Sequence, residues 1–227
     1  AANLSLVCAL CDRTLEIFDS FQGLPSPSEE DKAHTLLWTK EIHTYNKGSY
    51  RSSLDLVRDN ISRYGRLDVC RFHPGFFDET LPRFNQKCAF LWFDVDLRAS
   101  LETCMKYLWP LLQDSCHLFT HEAAHSEISS LFFSDDWWRT NLNTSPPGLI
   151  GAGSGIGIKI LTGSYFNSSM GYTVKNPPSS NFNVCPQLRG LKLNPKSIWL
   201  LTSTHRQTLF RHDGALEDSK SVSPPAP

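Results

Sequence analysis

The 227-residue sequence lacks the features that mark membrane and nucleic-acid-binding proteins. Its longest apolar runs are about eight residues, too short to span a bilayer. No charged-then-apolar signal segment opens it. Lysine and arginine total 22 against 23 acidic residues, with no long basic run, which disfavours nucleic acid and anionic membranes as partners. We therefore expect a globular protein that binds neither.

A disulfide framework is also not indicated, because the seven cysteines are an odd number. They are spread through segments that we predict to be helices and strands, which favours buried thiols in a reducing, cytoplasmic compartment. Cys8 and Cys11 form a C-x-x-C, but no second pair follows. We therefore favour one face of a helix over a zinc or redox site for this pair.

The order of the predicted elements indicates the class of fold. We predict a helix at Leu4–Cys11, a strand that ends at Asp19, a helix near Glu29–Ile42, and a helix in "SYRSSLDLVRDNISRYG" that Ser52 or Ser53 caps and Gly65 ends. Further strands are predicted at "DVCRFHPG", "CAFLWFDVDL" and "CHLFTHEA", with the helix "SLETCMKYLWPLL" between the last two. This alternation predicts an α/β fold with a doubly wound, mostly parallel sheet. The near-continuous apolarity of "CAFLWFDVDL" predicts a strand buried on both faces.

Acidic or polar side chains follow three of these strands. They are Asp19, then Asp94 with Asp96, then His121 with Glu122. Ligands bind outside the carboxyl ends of parallel strands. Carboxylates that converge there repel one another unless a cation or substrate lies among them. We therefore expect a binding site at this edge of the sheet.

Each of these groups also has a simpler interpretation. Asp19 either accepts hydrogen bonds from ribose hydroxyls or belongs to the turn that follows it. Asp94 and Asp96 form a D-x-D whose members would face one side of the strand and suit Mg²⁺ or Mn²⁺; alternatively, Asp96 caps the next helix. His121 and Glu122 are either metal ligands or a solvated strand end.

Two further segments have open interpretations. "DDWW", at Asp135–Trp138, either stacks a sugar, forms a lid, or anchors a loop on the core. Four glycines alternate between Gly151 and Gly157. No capped helix follows them, so we favour a loop over the acceptor pocket or a close-packed backbone over a cofactor loop.

Three stretches together resemble the macrocin O-methyltransferase family, whose members are S-adenosylmethionine-dependent and Mg²⁺-dependent and act largely on sugar hydroxyls. They are "FDSFQGLP", "YGRLDVCRFHPGFFDETLP" and "FLWFDVDLRASLETCMKYLWPLL". The resemblance covers about Ser5 to Glu122 and implies a class I methyltransferase (Rossmann-like) sheet. It implies one domain over residues 1–212, with the cofactor and metal part at 1–125 and an acceptor side at 126–212. Residues 213–227 are polar and proline-rich, and we expect them to be disordered.

The resemblance also implies roles for individual residues. Asp19, with Ser20 beside it, would bind S-adenosylmethionine near the ribose. Asp94 would be a metal ligand, and Asp96 the general base that takes the proton of a small hydroxylated acceptor. The family usually has two aspartates where this chain has His121 and Glu122. Both can bind a metal, but imidazole is softer and shifts preference from Mg²⁺ toward Mn²⁺, Fe²⁺ or Zn²⁺, or marks a loss of metal use.

One part of the family's pattern is missing from the sequence. A strand and a glycine-rich cofactor turn should precede the first helix, yet only fourteen residues precede "LEIFDSF". We therefore expect an N-terminally incomplete sheet, with a gap of about 10 Å between the second and fourth strands unless something fills it. Two alternatives stay open: a methyltransferase-like domain with a binding role, and a nucleotide-sugar glycosyltransferase, which also places D-x-D after an apolar strand.

Overall fold

The computed structural model describes residues 1–37, 40–153, 157–159, 165–167 and 169–177. The expected disordered tail at 213–227 lies outside these residues, and so does the domain boundary expected at residue 212. Six α-helices and nine strands fall within them. None of these helices has the length and apolar character needed to cross a bilayer.

The helices are α1 Ala2–Leu10, α2 Leu54–Tyr64, α3 Phe77–Thr80, α4 Arg98–Leu108, α5 Ser126–Leu131 and α6 Asp135–Leu142, with short 3₁₀ turns at Leu67–Val69 and Leu81–Arg83. The strands are β1 Leu15–Asp19, β2 Ala33–Thr35, β3 Ile42–Thr44, β4 Cys70–Pro74, β5 Cys88–Phe93, β6 Leu112–Thr120, β7 Gly157–Lys159, β8 Tyr165–Asn167 and β9 Gly171–Val174.

The parallel strands lie in two separate sheets. β1 pairs in parallel with β4, and β5 pairs in parallel with β6, to which β9 adds an antiparallel strand. Within the described residues no strand joins β1 to β5, so the sheet is divided between them. The division falls where the resemblance places a further strand. The predicted α/β architecture with parallel pairing is confirmed.

Local sequence signals account for α2 as predicted. The Ser53 hydroxyl accepts a hydrogen bond from the amide of Leu56 at 3.3 Å, which satisfies one of the free amides at the helix start. Asp55 in the first turn and Arg63 in the last turn suit the helix dipole. The helix ends at Gly65, and Ile61 is its buried anchor.

Two glycines of the family phrases are required by close packing. Gly23 has φ +82°, and a Cβ there would lie 2.5 Å from the carbonyl oxygen of Gly48. Gly75 has φ +138°, and a Cβ there would lie 2.9 Å from the Thr80 side chain. Both positions combine a left-handed backbone with a neighbour that leaves no room, so a larger residue would be strained.

The helix expected near Glu29–Ile42 is wrong. This stretch contains the antiparallel hairpin β2–β3, in which His34 pairs with His43. Leu36 adds a β-bridge to His125, and Lys40 has φ +60°, which a helix does not allow. The strands are three residues long and gain their stability from contacts with the distant 124–127 region, which no local pattern reveals.

The expectation that β5 is buried on both faces is also wrong. Leu91 and Phe93 are buried, but Phe90 and Trp92 on the opposite face are 42% and 39% exposed. These two rings pack beside Phe119 of β6, with centroids 5.6 and 6.2 Å away. One face of this sheet is therefore an open aromatic surface within the described residues.

The core forms between α4 and the face of the sheet that carries Leu91 and Phe93. Helix α4 buries Leu101, Cys104, Met105 and Leu108, the i, i+3, i+4, i+7 spacing of an amphipathic helix. From the "DDWW" segment, Trp138 is fully buried in this core. Its ring meets Trp109 edge to face at 4.9 Å, and its Nε1 donates to the Leu131 carbonyl at 2.8 Å. Trp138 is thus the anchoring residue that one of the interpretations of this segment expected.

We expect Trp138→Ala to lower the free energy of unfolding by about 3–5 kcal/mol, because it leaves a cavity and removes the hydrogen bond from Nε1 to the Leu131 carbonyl. Trp137→Ala is the matched control, since Trp137 is only partly buried against the same core. Urea unfolding followed by circular dichroism measures both variants. An equal or larger loss for Trp137→Ala would contradict this account of the core.

Candidate active site

The two aspartates of the D-x-D do not lie on the strand, contrary to the sequence expectation. β5 ends at Phe93, and Asp94 to Asp96 lead toward α4 through a tight turn whose three residues are Val95, Asp96 and Leu97. The amide of Leu97 donates to the Val95 carbonyl at 2.6 Å, and Asp96 between them has φ +58°. A three-residue turn with positive φ is rare and strained. The turn buries Val95 and leaves the side chain of Asp94 62% exposed.

His121 and Glu122 follow the end of β6, directly beside this turn. The amide of His121 donates to the carbonyl of Phe93, the last residue of β5, at 2.9 Å. Glu122 is buried, and its Oε2 accepts from the Thr120 hydroxyl at 3.2 Å. Its Oε1 has no hydrogen-bond partner among the described residues. A buried carboxylate oxygen without a donor is costly, which makes this atom the most notable feature of the turn.

The side chains of Asp94, His121 and Glu122 converge. His121 Nδ1 lies 3.4 Å from Asp94 Oδ1 and 3.6 Å from Glu122 Oε1. One ligand atom of each residue lies within 4.8 Å of the others, and no second group of this kind occurs in the described part of the chain. Two carboxylates, one imidazole and an unpartnered buried oxygen fit a divalent cation. Their role as metal ligands stays a prediction.

The charges of this group perturb one another. The hydrogen bond from His121 lowers the pKa of Asp94. Its contacts with Asp94 and then Glu122 raise the pKa of His121 to about 10. Burial, followed by repulsion from Glu122 and Asp94, raises the pKa of Asp96 to about 6. Asp96 therefore lies in the field of the other two carboxyl groups, and its pKa is close to neutral pH.

Asp19 and Ser20 lie elsewhere, at the carboxyl end of β1 in the other sheet. Asp19 Oδ1 accepts from the amide of Phe21 at 2.7 Å. The Ser20 hydroxyl accepts from Gln22 and donates to the Gly23 carbonyl. Both side chains therefore shape the turn at residues 19–23, as the simpler interpretation of Asp19 expects. They are not members of the Asp94–His121–Glu122 group, and their cofactor role stays a prediction.

The sequence analysis did not single out Tyr45, which lies just after the stretch that it assigned to a helix. Tyr45 is buried, and its hydroxyl lies 3.1 Å from His125 Nδ1. Burial, followed by the negative charges of Asp96 and Glu122, raises the pKa of Tyr45, so its hydroxyl lies in the field of the site. Burial lowers the pKa of His125 to about 4. Ala33–Thr35 and Ile42–Thr44 are each three residues long, too short for a strand periodicity that would have revealed the hairpin.

The fold is that of a methyltransferase. The solved structure of the O-methyltransferase NovP matches with a TM-score of 0.51 at 22% identity, over 72% of this chain and 60% of that chain. The family model described as Macrocin-O-methyltransferase (TylF) matches residues 3–127, more than half of the sequence. This chain belongs to the macrocin O-methyltransferase family.

Two curated relatives show how much of such a protein the chain covers. The mycinamicin III 3''-O-methyltransferase of Micromonospora griseorubida is 33% identical over 136 residues, which are 55% of this chain and 53% of that protein. The 8-demethyl-8-(2,3-dimethoxy-alpha-L-rhamnosyl)-tetracenomycin-C 4'-O-methyltransferase of Streptomyces olivaceus is 34% identical over 102 residues, which are 44% and 38%. The chain therefore spans about half the length, or less, of these relatives.

We expect Asp96→Asn to stabilise the metal-free chain at neutral pH. The folded-state pKa of Asp96 is raised from 3.8 to about 6, so its favourable contribution is complete below pH 3.8 and is lost as the pH rises through 6. Above pH 7 the free energy of unfolding of the variant should exceed that of the wild type by about 1–2 kcal/mol. This is less than the free energy that corresponds to the full pKa shift, because the side chain is partly exposed. The gain should vanish near pH 3.5.

Urea unfolding of both proteins in EDTA, at several pH values, measures this difference. Asp59→Asn on the exposed side of α2 is the matched control, and we expect little change from it at any pH. A stability gain for Asp96→Asn that does not depend on pH would contradict the charge repulsion described above.

Proposed function

We propose that this chain performs S-adenosylmethionine-dependent O-methylation of a hydroxyl on a sugar or a related small natural product, with a divalent metal ion. The observation that carries the proposal is the position of Asp96. Asp96 follows Asp94 by two residues at the end of β5, the charges of Glu122 and Asp94 act on it, and its pKa of about 6 suits proton transfer near neutral pH. The family and the relatives' acceptors support the same reaction class.

Asp96 is the general base of this proposal. A sugar hydroxyl is a poor nucleophile at neutral pH, so its proton must leave as the oxygen attacks. A carboxylate with a pKa near 6 is a better proton acceptor than one at 3.8, yet is still mostly ionised at pH 7. Asp96 lies in a strained turn with φ +58° and is not the cap of α4, whose N-cap residue is Leu97.

Asp94, His121 and Glu122 would hold the metal ion. When bound, the ion would lower the pKa of the acceptor hydroxyl, and S-adenosylmethionine would supply the methyl group. Glu122 contributes a buried oxygen that accepts no hydrogen bond, and His121 contributes the nitrogen that replaces the family's usual aspartate. A set of one nitrogen and two carboxylate oxygens favours Mn²⁺, Fe²⁺ or Zn²⁺ over Mg²⁺. Asp19 and Ser20 would bind the cofactor ribose.

Two alternatives predict different ligands. A domain without catalysis is supported by the divided sheet, since the strand edges of β1 and β5 are not joined within the described residues. The glycosyltransferase alternative rests on the D-x-D alone and is opposed by the family match over residues 3–127.

We expect the chain to bind S-adenosylhomocysteine and to transfer a labelled methyl group to mycinamicin III, the acceptor named for a relative. Asp96→Asn should lower the rate by about 10²–10⁴-fold while it leaves S-adenosylhomocysteine binding unchanged. Calorimetry and label transfer measure the two properties, with Asp59→Asn as the control that keeps both.

A methyl-transfer rate of Asp96→Asn equal to that of the wild type would show that Asp96 is not the general base. Binding of S-adenosylhomocysteine without methyl transfer to any hydroxylated acceptor tested would favour the non-catalytic domain. Binding of a UDP-sugar in its place would favour the glycosyltransferase.

A further inference from the structure

A carboxylate from a distant segment caps the helix that follows the candidate base. Helix α4 begins at Arg98, and its N-cap residue Leu97 supplies no side-chain hydrogen bond. The amides of Arg98 and Ala99 donate instead to Asp31 Oδ1 at 2.7 Å and Oδ2 at 3.0 Å. Asp31 is 1% exposed and precedes β2. A negative charge at a helix N-terminus is stabilising, so this contact fixes where the Asp94–Asp96 turn ends.

A buried histidine connects this cap to the second turn of the site, the one after β6 that carries His121 and Glu122. His34 is fully buried, and its Nε2 lies 2.9 Å from Asp31 Oδ1. Its Nδ1 lies 3.4 Å from Nδ1 of His125, which is four residues after His121. The amide of His125 in turn donates to the carbonyl of Glu122 at 2.9 Å. Both ring nitrogens of His34 thus contact residues that adjoin candidate site residues.

The backbone of the same segment contacts the second turn directly. The amide of Leu37 donates to the Ala124 carbonyl at 3.0 Å, and the amide of Thr35 donates to Glu127 Oε2 at 2.9 Å. Leu36 forms a β-bridge with His125. The β2–β3 hairpin therefore binds both turns: through Asp31 the one that carries Asp94 and Asp96, and through residues 34–37 the one that carries His121 and Glu122.

We propose that Asp31 and His34 are positioning residues that set the spacing between these two turns, and with it the affinity of the site for a divalent cation. The inference rests on the metal site of the proposed function. Neither residue belongs to the group that would hold the ion. Residues that orient metal ligands from behind typically change affinity by about 10–100-fold when they are replaced.

Mn²⁺ titration by calorimetry and electron paramagnetic resonance tests this inference. We expect His34→Phe, which keeps an aromatic ring and loses both nitrogens, to bind Mn²⁺ about 10–100-fold more weakly than the wild type. His34→Gln should be intermediate, because its amide nitrogen can still reach Asp31. His73→Phe is the matched control: His73 also contacts a carboxylate, Glu16 at 2.7 Å, but in the other sheet. It should leave Mn²⁺ affinity unchanged.

Amide hydrogen exchange without metal gives a second readout. We expect His34→Phe to accelerate exchange at residues 97–99 and 124–125, with other regions unchanged. Should His34→Phe fail to fold, His34→Gln and Asp31→Asn take its place in both measurements.

The outcomes separate the two proposals. Mn²⁺ binding that is equal in the wild type and in His34→Phe would overturn the positioning inference and leave the proposed function intact. A wild type that binds no Mn²⁺ would overturn the metal part of the proposed function. The exchange data then decide the positioning role of Asp31 and His34: faster exchange at both turns supports it, and unchanged exchange at either turn overturns it.

Discussion

The parallel pairing of β5 with β6 is the interaction on which the candidate site depends. Its register places Phe93 opposite Thr120, the last residues of the two strands. Asp94 and His121, the first residues after each strand, therefore emerge as neighbours, and the His121 amide binds the Phe93 carbonyl. Moving the register by one residue would exchange the faces of the strand and separate these side chains. The packing of α4 on the buried face of β5 keeps that register in place.

This dependence explains which parts of the site could be predicted from the sequence. Apolar strands that are followed by acidic residues can be recognised in a sequence. The convergence of Asp94, His121 and Glu122 could therefore be expected from the α/β pattern alone. The turn at Asp96 could not, because a backbone hydrogen bond between Val95 and Leu97 forms it and no side-chain pattern marks it. The expectation that both aspartates face one side of a strand was wrong, because β5 ends at Phe93, although Asp94 still lies close to His121 and Glu122.

The hairpin marks the other limit of the sequence analysis. Strands of three residues carry too little periodicity to be told from one or two helical turns. Their polar residues were also misleading. His34 and Asp31 look like surface residues in the sequence, yet both are buried. Their side chains form a hydrogen bond with each other, and Asp31 also accepts from free amides at the start of α4. Only the pairing of segments 67 residues apart makes this burial favourable.

The structure supports the metal site of the proposed function better than its cofactor site. The metal side has converging ligands, an unpartnered buried oxygen and a carboxyl group with a raised pKa. On the cofactor side, the side chains of Asp19 and Ser20 are engaged in their own turn. No strand joins β1 to β5 within the described residues, and Phe90 and Trp92 are left exposed on an open face. The metal side is therefore the better supported half.

The surroundings of Asp31 and Asp96 shift the pKa values of these two carboxyl groups in opposite directions. Burial tends to raise the pKa of Asp31, but hydrogen bonds from His34 and from the amides of Ala99 and Arg98 outweigh it and lower that pKa. Asp96 is partly buried without such donors, and burial together with repulsion from Glu122 and Asp94 raises its pKa to about 6. Opposite shifts in neighbouring acids separate the group that stays ionised from the group that exchanges protons. Asp31 can therefore hold the start of α4 at any pH near neutrality, while Asp96, two residues before that helix, is left free to accept a proton.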